Sequence, residues 1–512
     1  MHDWTGGYVA DINYTHGYYQ ELNPLRIAMA FANAGLQAPA TGVACELGFG
    51  QGLSANIHAA ASVTTWHGTD FNPAQAAFAR ELAHASGNGA QLLDQSFAEF
   101  CRRDDLPDFD YICLHGIWCW ISPANQQEIV EFLRRKLKVG GVLYISYNCQ
   151  PGWAPMVPVR GLLTQYADTM TAPGAGRTQR IESALDFTDR LLETSPAYFT
   201  AYPRVADRLK SLRGQNRQYL VHEYFSRDWQ PTSFAEMAGI LGEAKLTYAC
   251  PAHFLDHITD LNLTRPQQEL LAQLPDPVFA ESVRDFMVNQ NFRSDYWIKG
   301  ARPLTLLQKA EAMRRPRVVL VTPRAQFDLK ITGKAIEGQL SEAIYLPLLD
   351  LLADFAPRTV GELEDALAGK GLNLQQVFEA VLVLAGKGNL MLAQDEAHIE
   401  AAIASSQQLN QTLFEQARGS EQISFIASPV VGAGVSAPRI AQLFLLAHVE
   451  GERGVAALTD YVWDTLSSQD QRMVKDGQRL DAPADSIAEI QRQAERFEHD
   501  YLAIYRALRV IG

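Results

Sequence analysis

Val43-Ala44-Cys45-Glu46-Leu47-Gly48-Phe49-Gly50-Gln51-Gly52 is the stretch whose reading decides the fold. A short apolar run ends in an acid, three glycines alternate with other residues, and a helix-compatible segment opens at Leu53. An apolar run of this length, bounded by turn residues, reads as a buried parallel strand, here followed by a tight turn and a helix N-terminus. Glycine lets the backbone bend sharply and lets a ligand approach it with no Cβ in the way. The spacing is not that of the phosphate-binding dinucleotide turn. That turn needs its third glycine at position 53, which is Leu53.

Outward from this stretch the pattern repeats. A strand over 64–70 ends in Asp70, whose carboxylate at a strand tip can accept both ribose hydroxyls of an adenosine. Phe71-Asn72-Pro73 opens the next helix. A strand over 91–94 ends in Asp94, followed by Gln95, Ser96 and Phe97, where an adenine amino group would meet a carboxylate and an aromatic edge. A fourth strand runs into Leu114-His115-Gly116, a helix covers 122–137, and a fifth strand covers 140–147. Helices over 24–37 and 54–61 flank the first strand. Five βα units with ligand-type residues at the strand C-termini predict an α/β, doubly wound sheet that binds at those ends.

The Glu-x-Gly-x-Gly-x-Gly form resembles motif I of class I S-adenosylmethionine-dependent methyltransferases. Further stretches narrow the resemblance: His115-Gly116-Ile117-Trp118, Ser146-Tyr147-Asn148-Cys149-Gln150-Pro151-Gly152-Trp153, and the arm from Tyr14 through His16, Tyr18 and Tyr19 to Pro24. Together with Tyr219-Leu220-Val221-His222-Glu223-Tyr224 and Asn291-Phe292-Arg293, they look like the methyltransferases that carry a methyltransferase regulatory domain. That group includes the rickettsial-type outer-membrane-protein lysine methyltransferases. The resemblance covers roughly the first 300 residues well and the remainder loosely. It implies a class I (Rossmann-like) sheet and S-adenosyl-L-methionine as cofactor, with contacts from Glu46, Gly48, Phe49, Gly50, Gly52, Asp70, Phe71, Asp94, Gln95, Ser96, Phe97, His115 and Gly116. It also implies N-methylation of protein lysine, with Tyr14, Tyr18, His115, Trp118, Asn148, Trp153 and His222 on the acceptor side. Tyr19 and Tyr147 belong to the same aromatic set, and Glu223 stands beside His222 as a proton acceptor. Relatives would carry Thr where this chain has Cys149.

A class I sheet needs two more strands, best supplied by 245–250 and 295–299. This predicts a core over 1–154, a helical insertion or lid over 155–218, a regulatory segment completing the sheet over 219–300, and a C-terminal domain over 301–512. In that last domain a Thr359-x-x-Glu362 capping box, a helix over 374–385 and a strand over 388–392 suggest a winged-helix-like, mainly helical module. Lys309, Arg314, Arg315, Arg317 and Arg324 read as a solvated basic face. The last helix places Ile487, Ile490, Ala494, Phe497, Tyr501, Ile504, Leu508 and Ile511 on one stripe, which packs on its own domain or forms a homodimer seam.

The net charge of −14 argues against a polyanionic partner. The place after the fourth strand reads Leu114-His115-Gly116-Ile117, not the Asn/Asp-Pro-Pro-Tyr of enzymes that methylate DNA bases or glutamine, so no nucleic-acid acceptor is expected. The six cysteines lack metal-ligand spacing, so no metal is expected, and they suit a reducing compartment. No signal peptide and no membrane-length apolar run are read, so the cytoplasm is the expected location. A small-molecule N- or O-methyltransferase, or a cofactor-binding regulatory protein, are the alternatives.

Overall fold

Five apolar runs become β1 (Val43–Leu47), β2 (Thr65–Thr69), β3 (Gln91–Leu93), β4 (Phe109–Leu114) and β5 (Leu137–Asn148), paired in parallel. The two expected additions are β6 (Leu246–Pro251) and β7 (Phe292–Lys299), and the seven strands join in the order β3-β2-β1-β4-β5-β7-β6. β7 runs antiparallel to both β5 and β6. The structure is a computed structural model that describes residues 15–172, 174–215, 220, 223–224, 226 and 228–511. Because β1 lies between β2 and β4, successive connections diverge there and leave a crevice outside the carboxyl ends of β1 and β4.

The helices are α1 (Leu25–Ala34), α2 (Leu53–Ala61), α3 (Pro73–Ser86), α4 (Phe97–Cys101) and α5 (Pro123–Lys136). Local chemistry sets their ends. Asn72 and Ser122 each cap a helix whose first residue is proline, and Ser96 and Glu99 form a capping box on α4. Gly35 and Gly87 stop α1 and α3 in the left-handed conformation. One sheet face packs with α5 and the helix Phe234–Glu243, through Phe109, Phe132, Leu133, Met237 and Trp297. The other packs with α1 and part of the C-terminal domain, through Phe31, Trp66, Tyr111, Val381 and Leu382.

Between β5 and β6 the chain leaves the sheet. The helices Val157–Thr169, Arg177–Glu193, Ala197–Ala201 and Pro203–Leu212 close over a separate core of Met156, Leu163, Ile181, Leu185, Phe199 and Leu209.

In the C-terminal domain the strand Arg317–Leu320 lies antiparallel between Arg358–Thr359 and Leu390–Ala393, with helices Val360–Leu367 and Leu374–Gly386 beside it. The Thr359–Glu362 capping box is present. The expected wing is not formed. Leu390–Ala393 leads directly into the long helix Glu396–Ala417, with no returning hairpin strand among the described residues. In the basic cluster, Arg314 pairs with Glu364 at 2.6 Å and Arg324 with Asp350 at 2.9 Å. The long helix rests on α2: Leu409 and Leu413 share a core with Leu53 and Ile57, and Ser405 Oγ donates to the Ala60 carbonyl at 2.6 Å. In the final helical segment Ile490, Ala494, Phe497, Ile504, Leu508 and Ile511 are buried in that core, so the stripe packs inside its own chain. Among the described residues no helix is long and apolar enough to cross a membrane.

Candidate active site

The glycine turn leaves β1 with Gly48, Gly50 and Gly52 at φ +74°, +58° and +68°. An L side chain pays about 1–2 kcal/mol there, so the alternation of glycines is a backbone requirement. The turn is tied to the end of β2. Gly48 N–H donates to the Thr69 carbonyl at 2.8 Å, and Gly50 N–H donates to Asp70 Oδ2 at 2.9 Å. Asp70 Oδ1 accepts from Asn72 N–H at 3.0 Å. Each carboxylate oxygen keeps a further acceptor site. A Cβ at Gly52 would stand 2.5 Å from Ala79 Cβ on α3, whereas one at Gly50 would meet nothing within 4 Å among the described residues. The turn is therefore packed behind and open in front.

Glu46, at the end of β1, is only 3% exposed, and its Oε2 has no hydrogen-bond partner among the described residues. Burial, with Asp70 nearby, pushes its carboxyl up to about 8, and burial pushes Asp70 to about 6. Two desolvated carboxylates, one with an orphaned oxygen, call for a ligand that brings an amino group and hydroxyl donors. The amino-acid end and the ribose of S-adenosylmethionine have these groups, so the residues fit it.

The end of β3 is more engaged than expected. Asp94 is exposed and pairs with Arg80 on α3 at 2.7 Å, and Ser96 is committed to capping α4. The Gln95 carbonyl accepts from Thr69 Oγ1, and its side chain accepts from Arg103 at 3.3 Å. Phe71 and Phe97 are half-buried beside this edge, whereas the Phe49 ring is buried with Ala55, Ala76, Ala79 and Leu92.

At the end of β4, His115 Nδ1 lies 2.8 Å from Tyr144 Oη and 3.4 Å from Ser146 Oγ. The Tyr19 ring stacks on it at 3.9 Å between centroids. Burial lowers the imidazole to about 4, so the ring is neutral at physiological pH. Gly116 N–H donates to Ser146 Oγ at 2.8 Å. Tyr144, Ser146 and Asn148 alternate on one face of β5. The Asn148 carbonyl accepts from Thr232 N–H, while its side-chain amide makes no hydrogen bond among the described residues.

A methyltransferase-domain family model matches residues 44–141, and a predicted methyltransferase regulatory domain matches residues 216–299. The uncharacterized protein sll1526 of Synechocystis sp. is 38% identical over 510 residues, covering 99% of each chain. The chain belongs to the class I S-adenosylmethionine-dependent methyltransferases that carry a methyltransferase regulatory domain. This methyltransferase shares its fold with the structure of PKMT2 from Rickettsia typhi in complex with AdoHcy, at TM-score 0.69 and 17% identity over 97% of this chain and 99% of that one. A second PKMT2 structure gives TM-score 0.67 at 18% identity over 94% and 98%.

Several residues of the methyltransferase lie away from where the sequence put them. Tyr18 is buried against the C-terminal domain, with Gly434 N–H donating to its Oη at 2.7 Å, and Tyr19 faces His115 instead. Trp118 is fully buried under the sheet, because the 3₁₀ turn Trp118–Trp120 rotates it inward. Tyr147 lies on the opposite face of β5 from Asn148 and donates to Asp295 at 3.1 Å. Trp153 belongs to the core of the inserted helices, where the Arg208 guanidinium covers its ring at 3.8 Å. Beside it Glu223 is pushed up to about 7 by burial, against the pull of Arg208 and Arg160. Tyr14 and His222 lie outside the described residues.

Two roles were missed, although Ser146 and Arg293 stand in stretches quoted for the resemblance. Tyr144 and Ser146 hold the His115 loop, and the two-residue period running back from Asn148 would have found them. Arg293 is buried with Asp285 at 2.7 Å, Asp295 at 2.8 Å and Glu281 at 2.8 Å. No local pattern announces that cluster.

Proposed function

We propose that this methyltransferase transfers a methyl group to the side-chain amine of lysine in a protein. The observation that carries the proposal is His115, held uncharged between the rings of Tyr19 and Tyr144 at the end of β4, with Asn148, whose side-chain amide makes no hydrogen bond among the described residues, at the end of the neighbouring β5. Bound S-adenosylmethionine supplies an already activated methyl on its sulfonium. Glu46 receives the cofactor's ammonium, Asp70 accepts its ribose hydroxyls, and the Asp94–Phe97 edge, with Phe71, receives the adenine. The glycine turn lets the cofactor lie against bare backbone. Alignment and exclusion of water are then the main work, worth up to about 7–11 kcal/mol.

A lysine amine has an unperturbed pKa of about 10.4 and must be neutral to react. An enclosed aromatic surrounding favours that form by desolvation. Asn148 Oδ1 accepts an N–H of the amine and so orients its lone pair, neutral His115 forms part of the wall, and the amine gives up its proton to bulk water before it enters. In this reading 1–154 forms the cofactor core, 155–218 a lid, 219–300 the regulatory segment that completes the sheet, and 301–512 the C-terminal domain. The six cysteines, all buried and free, suit work in a reducing cytoplasm.

The test gives the enzyme methyl-labelled S-adenosylmethionine and a cell extract, then separates precipitable protein from small molecules. Label in discrete proteins, released as methyl-lysine on hydrolysis, is the expected result. Label in small molecules alone refutes the lysine reading and leaves a metabolite amine or hydroxyl as acceptor. No transfer with cofactor binding intact points to a regulatory protein.

A further inference from the structure

Tyr18 and Tyr19 are neighbours in sequence and face opposite parts of the molecule. Tyr19 lies on His115, and its N–H donates to Ser54 Oγ at the start of α2 at 2.9 Å. Tyr18 turns the other way. Its ring packs against His58 at 5.3 Å and Phe425 at 4.8 Å, and its Oη accepts from Gly434 N–H at 2.7 Å. Gly434 belongs to the hairpin of Phe425–Ser428 and Ala433–Ser436, and a Cβ there would stand 2.7 Å from the Tyr18 ring. The same hairpin holds the segment a second time: Asn23 Nδ2 donates to the Val431 carbonyl at 3.2 Å, while Asn23 Oδ1 accepts from Leu25 N–H at the start of α1. Between these ties the Glu21 carbonyl accepts from Tyr296 Oη at 3.4 Å. Partners 416 and 408 residues apart thus fix the two ends of a six-residue segment, Tyr18 to Asn23, that carries Tyr19 over the strand ends.

We infer that Tyr18 is a positioning residue: through it the C-terminal hairpin holds Tyr19 closed over His115 and governs how long the cofactor stays in the site. This rests on the methyltransferase reading of the strand ends. Among the described residues Tyr18 makes no ring contact or hydrogen bond with His115 or the glycine turn, so its influence passes through Tyr19.

The experiment measures the dissociation rate of S-adenosylhomocysteine from the full chain, for wild type, Tyr18→Phe, Tyr19→Ala and the double variant. Tyr18→Phe removes one buried hydrogen bond and keeps the ring, so release should quicken about three- to tenfold. In the Tyr19→Ala background the same change should add less than about twofold, because the two act in series. Wild-type release from Tyr18→Phe, or fully multiplicative effects in the double variant, would overturn the inference. Asn23→Asp keeps the α1 cap and loses the donor to Val431. It should also release faster and, if Tyr18→Phe does not fold, it decides the question by the same rate. A wild-type chain that binds no S-adenosylhomocysteine would remove the cofactor site and this inference together, whereas normal wild-type binding with unchanged variants removes the inference alone.

Discussion

Gly50→Ala and Gly52→Ala add the same methyl to the same turn, and the geometry separates their consequences. Both positions are left-handed, at φ +58° and +68°, which costs an alanine about 1–2 kcal/mol. At Gly52 the new Cβ also meets Ala79 Cβ at 2.5 Å, a collision with α3 that the turn cannot avoid. Overpacking of that kind adds about 1–3 kcal/mol, for a total of about 2–5 kcal/mol. At Gly50 no atom of the described residues lies within 4 Å of the new methyl, so the stability loss stays at the conformational cost while the methyl fills the open front of the turn. Denaturant unfolding followed by tryptophan fluorescence, and calorimetric titration with S-adenosylmethionine, read the two effects separately. Gly52→Ala should unfold at clearly lower denaturant than Gly50→Ala, and Gly50→Ala should bind cofactor at least about tenfold more weakly than wild type. Wild-type affinity in Gly50→Ala would refute the claim that the turn faces the cofactor. Equal stability of the two variants would refute the packing argument.

Three other expectations rest on charge. Glu46 and Asp70 are raised to about 8 and about 6, against about 4 for unfolded carboxylates, so the folded chain keeps protons that the unfolded chain has lost. Stability of the cofactor-free enzyme should fall as pH rises from about 4 to about 8, and Glu46→Gln should flatten the upper part of that slope; a flat wild-type profile in thermal melts contradicts this. Arg293→Met would leave Asp285 and Asp295 buried without their cation and should cost about 3–5 kcal/mol in denaturant unfolding, with an unchanged midpoint as the contrary result. His115, lowered to about 4 by burial, should show no titration of its ring resonances by NMR between about pH 5.5 and 8, and a midpoint inside that window would refute its neutral state.

The sheet was legible because each buried parallel strand is a short apolar run with a turn at its end. The glycine turn was legible because three left-handed positions force the residue type. Boundaries moved by a few residues: β5 starts at Leu137, three residues earlier than its glycine pair suggested. The acceptor side was less readable because aromatic residues serve cores and channels alike. Trp118 and Trp153 carry the same sequence signal as Tyr19, yet a 3₁₀ turn and the inserted helices bury them. Tyr18 and Tyr19 lie outside any periodic element, so nothing local told which one faced His115. No wing follows Leu374–Gly386 because Asp395 caps a new helix just after Leu390–Ala393 ends, which leaves no chain for a returning strand.

The most direct test is calorimetric titration of S-adenosylmethionine into wild type and Asp70→Ala, with circular dichroism to confirm the fold. Wild type should show one site and Asp70→Ala at least about a hundredfold weaker binding, since two hydrogen bonds to a charged acceptor are lost together. Equal affinity in a folded Asp70→Ala would contradict the cofactor site at the ends of β1 and β2.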